Sequence, residues 1–272
     1  SETGGLPDGE QTMGIAAFIY GSLSYTIFLA SFLYAIGFVG NVLVPKSIDS
    51  SPAGSMPEAI LVDLLLLGLF AVQHSTMARP WFKERWTRIV PRSVERSTYV
   101  LVSSLLLALL FWKWQPITAT IWDVGSPAGR GLLGALFWLG WLIVLSSTFM
   151  INHFDLFGLR QVYLRLRSEP YTPLPFVTVA LYRFVRHPIM LGFLIAFWST
   201  PVMTLGHLLF AGATTGYIFI GIFLEERDLR RAHGADHERY CREASMILPL
   251  PRRKPVEDRA AAGLEKGTRS YS

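Results

Sequence analysis

From Ile189 to Leu224 the chain runs for 36 residues without a lysine, arginine, aspartate or glutamate. A bilayer crossing needs about 20 apolar residues, so this run is too long for one pass and too apolar for a water-facing helix. Pro201, near its middle, divides it into a short helix over 188–200 and a longer one over 205–224. Four further apolar runs, at 13–44, 59–78, 98–112 and 131–151, complete a pattern of six crossings, the first one long and tilted. Hydrophobic residues make up 51% of the chain and charged ones 17%, which favours one membrane domain over two soluble domains. The fold class expected is therefore an all-α integral membrane protein with about six transmembrane helices. Its domain would span residues 13–250, between a polar tail at 1–12 and a charged, disordered tail at 251–272. Residues 1–11 lack the basic start of a signal peptide, so the first run is expected to remain as a span.

Orientation follows from the cations. Arg79, Lys83, Arg85, Arg88, Arg92 and Arg96 separate the second and third runs. Arg160, Arg165, Arg167, Arg183 and Arg186 separate the fourth and fifth, and eleven more basic residues follow Leu224. With six crossings these regions share one face and hold 22 of the 25 basic residues. The positive-inside rule makes that face cytoplasmic, with both termini inside. The net charge of +5 is then explained by anionic lipid headgroups, and no nucleic-acid partner is expected.

Unusual polar residues collect on the same face. His74 ends the second run, His153 and Asp155 leave the fourth, His187 opens the fifth, and Glu225 and Glu226 close the sixth. Asp63 and His207 lie nearer the other side. Ionisable groups at membrane depth mark sites, although each histidine could equally be an interfacial anchor. None of the span-end histidines is paired at i, i+3 or i, i+4, so no metal centre is expected. His233 and His237 have that spacing but read as a solvated face. The single cysteine, Cys241, excludes an internal disulfide and is expected to be an ordinary free thiol.

The last hairpin carries charges of both signs. Arg186 and His187 precede Pro188, which suits a first helical turn, so a cation and free backbone donors meet at one point. Gly192, one turn on, would let a ligand approach the helix. The returning helix brings its partly negative end with Glu225 and Glu226. Such a seat suits a zwitterion or a cation-bearing cofactor, or else is an Arg/Glu staple between helix ends.

Arg186-His187-Pro188, Gly192, Glu225-Glu226, Gly234 and Tyr240 together resemble the cofactor signature of the isoprenylcysteine carboxyl methyltransferase superfamily. More closely, the chain resembles that superfamily's NnrU-like branch, the methanethiol S-methyltransferases. The blocks carrying this are Gln73-His74-Ser75, Asn152-His153-Phe154-Asp155-Leu156-Phe157-Gly158-Leu159-Arg160-Gln161 and Glu225-Glu226-Arg227-Asp228-Leu229. Two positions depart from the superfamily pattern, with Met190 and His237 where tyrosines are usual. The resemblance implies an enzyme that moves a methyl group from S-adenosyl-L-methionine to methanethiol, giving dimethyl sulfide, at the cytoplasmic face of a bacterial inner membrane. Cofactor contacts are then expected from Arg186, His187, Pro188, Gly192, Glu225, Glu226 and Tyr240. A thiol is mostly protonated near neutrality, so a base is needed: His153 or His74, with Asp155 orienting it. Arg160 and Gln161 would close the mouth, and Trp198 would line an apolar pocket for a small volatile thiol. Rival readings are a prenylcysteine or lipid methyltransferase, a sterol-type reductase using NADPH, and a non-catalytic NnrU-like accessory protein.

Overall fold

A computed structural model describes residues 8–51, 54–174 and 179–249. The tail at 251–272 lies outside them. Among the described residues, five helices are long and apolar enough to cross a membrane: α1 (Asp8–Gly40), α2 (Met56–Ala78), α4 (Arg92–Lys113), α5 (Pro127–Met150) and α9 (Leu205–Glu243). Shorter helices α3 (Pro80–Trp86), α6 (His153–Leu156) and α7 (Leu159–Leu166) join them at the basic end, where a 3-10 turn (Ala180–Arg183) leads into α8 (Pro188–Trp198). Proline begins α3, α5 and α8 and is the second residue of α2, where its missing N–H costs no helical bond. Leu65, Val72, Trp112 and Phe223, each more than 60% exposed, point outwards. An apolar exterior of this kind suits lipid, and the protein is a multi-pass membrane protein.

The first helix of the last hairpin is short, as the sequence suggested: α8 has 11 residues and rises only about 16 Å, roughly half a bilayer core. One expectation needs correction, because the fold is not purely helical. Pro201 ends the helical path as expected, but the chain then forms β2 (Val202–Thr204), antiparallel to β1 (Thr120–Asp123), with Thr120 opposite Thr204 and Asp123 opposite Val202. β-Branched and aromatic residues favour the extended form there. This small sheet ties the α4–α5 loop to the α8–α9 turn at the end of the bundle opposite the main arginine clusters.

An aromatic core underlies that end. Trp114 is fully buried, packs edge-on against Phe38 and Phe210, and donates its indole N–H to the Ile48 carbonyl at 3.1 Å. Phe197, Phe193 and Trp141 continue the cluster towards α5. Asp49, bonded by Asn41 and Thr204, anchors the loop after α1.

Helices α5 and α8 pack antiparallel at backbone contact. A Cβ on Gly192 would lie 2.7 Å from the Gly140 carbonyl oxygen and 2.9 Å from the Val144 nitrogen. The space beside Gly192 is therefore taken by α5 and is not an open slot for a ligand. Gly192→Val should lower the detergent melting midpoint, equivalent to about 1–3 kcal/mol of overpacking. Gly212→Ala, with nothing within 4 Å, should leave the midpoint unchanged or raise it. Gly140 meets Ala196 as well as Gly192, and extending this register one turn sets Thr148 level with Pro188. The end of α5 thus reaches the start of α8.

Candidate functional site

Glu226 is the hub of the basic end. Its Oε1 accepts from Arg186 Nε at 2.7 Å and faces His187 Nε2 at 2.9 Å. Its Oε2 faces His237 Nε2 at 3.2 Å and Cys241 Sγ at 3.5 Å. Along a straight helix, residues 226 and 237 would sit about 16 Å apart. They meet because Gly234, at φ 47° and ψ −118°, breaks α9, and only glycine takes such a conformation readily. The chain beyond this kink folds back and clamps the approach to α8. Arg186 Nη1 donates to the Ala244 carbonyl at 2.7 Å, and the backbone N–H of Arg186 to that of Ser245 at 2.8 Å. Tyr240 donates to the Tyr182 carbonyl at 2.6 Å, and burial pushes its phenol up to about 12, which keeps that proton in place.

The sequence therefore brings Arg186, His187 and Glu226 together as expected, and Glu225 reaches His187 Nδ1 at 3.5 Å while staying half exposed. Arg186 itself is largely satisfied within the protein. The more open cations are Arg227, Arg230 and Arg231, which with Phe223 and Glu226 line a groove of about 330 Å³. Their spacing along α9 puts them on one face, a signal available in the sequence. Cys241 and His237 are not free tail groups either. Their i, i+4 pairing was legible; the kink that turns them onto Glu226 was not. The His233 side chain lies outside the described residues.

Burial disfavours the charged His187 ring, but its hydrogen bonds and charge interactions with Glu225 and Glu226 outweigh this and raise its pKa above the ordinary 6.5. Stability from the imidazolium is fully present below 6.5 and is lost as the pH climbs through the raised value. Wild-type protein should thus lose thermal stability over that alkaline-side window, and His187→Gln should show a flatter melting-temperature profile.

A second cluster lies at the ends of α1, α5 and α6. Asn152, left-handed at φ 87°, caps α6 by accepting from the Asp155 N–H, and this turns His153 inwards to 5% exposure. Thr148 Oγ1 donates to the Leu145 carbonyl at 2.7 Å, so it must accept from His153 Nδ1, 2.8 Å away. The Nε2 of His153 is then the acceptor, and Tyr25 donates its hydroxyl proton to it at 2.8 Å. Burial lowers the His153 pKa, which keeps the ring neutral with a lone pair free to accept a proton. Tyr25 lines an open, mostly apolar groove of about 580 Å³ with Phe18, Ser22, Asn152, Phe154 and Arg160. Tyr25 was missed in the sequence because it sits 128 residues from His153 in an unremarkable apolar helix.

Other expected roles are placed differently. Asp155 does not orient His153; it accepts from Arg160 at 3.0 Å, Gln161 at 3.4 Å and Tyr171 at 3.3 Å, tying down side chains from the first turn of α7. Gly158, at φ 87° and against Ser97, makes the turn between α6 and α7 that allows this. Trp198 lies at the far end of α8 and donates to Thr215 at 2.9 Å, away from the groove. His74 is enclosed among Phe70, Tyr99, Ser103 and Tyr217, with Tyr99 Oη 2.8 Å from Nε2. Beside it Ser75 donates to Tyr217, nine residues and about 14 Å along α9 from Glu226.

A family model described as NnrU protein matches residues 62–242. A protein of Mycobacterium tuberculosis named methanethiol S-methyltransferase is 60% identical over 86% of this chain and 96% of its own length. One of the same name from Crocosphaera subtropica is 53% identical over 85% of this chain and 91% of its own. Nurim of Mus musculus is 31% identical over 65% of this chain and 70% of its own. No solved structure matches the chain.

Proposed function

The chain belongs to the NnrU protein family, and we propose that it is a membrane methyltransferase that methylates methanethiol to dimethyl sulfide using S-adenosyl-L-methionine. Its relatives' shared name carries the acceptor assignment, and the Glu226 hub beside an arginine-lined groove carries the donor assignment. With α8 and α9 read as a hairpin that leaves and returns to the basic face, the basic end and both termini lie in the cytosol of a bacterial inner membrane, where a soluble donor has access.

The groove suits part of the donor's chemistry, with three arginines for a carboxylate and Phe223 for an aromatic base; Glu225, half exposed next to Glu226 in the chain, would meet an ammonium or ribose hydroxyls. When bound, S-adenosylmethionine supplies a methyl group made electrophilic by its sulfonium. Arg186 and His187 hold Glu226 ionised and fixed, and Tyr240 pins the segment that carries them. At the acceptor side, a small thiol enters the apolar groove and meets the Tyr25 hydroxyl. Its proton moves to the Tyr25 oxygen as Tyr25 gives its own to His153 Nε2. The thiolate so formed would be the nucleophile for the donor's methyl group. Thr148 holds the ring tautomer that makes this possible. The end of α5, which carries Thr148, reaches the start of α8, and this supports His153 over the enclosed His74 as base.

An acceptor panel tests the reading. Methyl-labelled donor should transfer label to methanethiol in preference to a prenylated cysteine; the reverse preference would move the chain to the lipid-modifying rival. Binding of NADPH with no binding of S-adenosylmethionine would favour a reductase instead.

A further inference from the structure

The second oxygen of Glu226 faces two metal-binding side chains. His237 Nε2 lies 3.2 Å and Cys241 Sγ 3.5 Å from Oε2, and the nitrogen and sulfur are 3.4 Å apart. A tetrahedral zinc ion with ordinary bond lengths has N···O, S···O and S···N edges of about 3.3, 3.5 and 3.6 Å. The three donors therefore stand as one face of such a tetrahedron, and the fourth position is left for water. His237 is 2% exposed, so its ring is held in place by packing rather than by solvent. Arg186 and His187 both engage Oε1, which leaves Oε2 for a different partner.

We propose that Glu226, His237 and Cys241 form a binding site for a zinc-class divalent cation, which fastens the segment beyond the Gly234 kink to the body of α9. A thiolate, a neutral imidazole and a carboxylate are a donor set for borderline and soft divalent ions rather than for calcium or magnesium. On binding, the Cys241 thiol proton goes to solvent, the His237 lone pair on Nε2 replaces a hydrogen bond, and two negative donors balance the two positive charges. In the absence of metal, the same triangle is held by protons. The fastened segment carries Tyr240, Ala244 and Ser245, the partners that position Tyr182 and Arg186. Metal occupancy would thus set how firmly the donor seat is built, whichever acceptor the protein methylates.

Cys241 is the only cysteine in the chain, so thiolate–metal spectroscopy reports on this site alone. Tag-free, full-length protein in detergent is titrated with cobalt(II), and near-ultraviolet thiolate-to-cobalt absorption is followed. Separately, maleimide labelling of Cys241 is timed with and without zinc(II). The expected result is absorption saturating at one ion per chain, and zinc slowing labelling at least about 10-fold. His237→Ala and Glu226→Gln should each weaken both effects by a similar factor, and Cys241→Ser should remove the absorption. Melting curves confirm that each variant is folded; where one is not, the wild-type labelling result decides. No thiolate absorption and no zinc protection in wild-type protein would overturn the site, as would protection unchanged in folded His237→Ala. Neither readout needs methyl transfer, so failure here and failure of the proposed activity are separable.

Discussion

Glu226→Ala is expected to reduce thiol methylation by at least about 100-fold, while its neighbour's variant, Glu225→Ala, loses less than about 10-fold. The two glutamates are adjacent in sequence but differ in surroundings. Glu226 is 14% exposed and answers Arg186, 9% exposed, and His187, 6% exposed. Removing the carboxylate leaves two enclosed cations without their counter-charge, a loss of the order of 3 kcal/mol for a buried pair. Glu225 is half exposed and makes one longer contact, at 3.5 Å, so solvent screens what it contributes. The check is the initial rate of both variants beside a melting curve. Glu226→Gln, which keeps the shape and loses the charge, should fall between wild type and Glu226→Ala. Equal losses at positions 225 and 226 would remove Glu226 from the centre of the donor seat.

The second large effect is expected at the proton relay. Tyr25→Phe removes one oxygen from the groove wall and should lower kcat by about 100-fold with little change in KM for the thiol. His153→Ala should lose about 100- to 10,000-fold. Both deficits should shrink as the pH rises, because the thiol then ionises in solution and needs no base. A purely structural role would give a loss independent of pH. His74→Ala should behave in that second way: it breaks the hydrogen bonds among His74, Tyr99 and Ser103 and lowers the melting point, with a flat activity ratio across pH. A pH-sensitive loss at His74 and none at His153 would exchange their roles.

Much of this was legible in the sequence. Uninterrupted apolar runs and cations gathered between alternate runs are long-range patterns, and they carried the helical plan and the two-ended charge distribution. Arg186, His187 and Glu226 could be paired because helix ends of opposite sign attract. Local pattern could not carry the rest. A three-residue strand such as Val202–Thr204 exists only because Thr120–Asp123, some 80 residues earlier, pairs with it. Gly192 looked like a ligand slot because no one-dimensional signal says which helix fills the space above a glycine; Gly140 does. Asp155 was assigned to His153 by proximity in sequence, yet the α6 turn points the two side chains apart, to Arg160 and to Tyr25. The Gly234 kink had the same effect on His237 and Cys241, whose partner lies back along their own helix.

The most direct measurement is gas chromatography of the headspace over detergent-purified protein given methanethiol and methyl-labelled S-adenosylmethionine. The expected result is labelled dimethyl sulfide accumulating in step with S-adenosylhomocysteine, near background with Glu226→Ala and within about 10-fold of wild type with Glu225→Ala. Folded wild-type protein that yields no dimethyl sulfide above a heat-killed control would contradict the assignment.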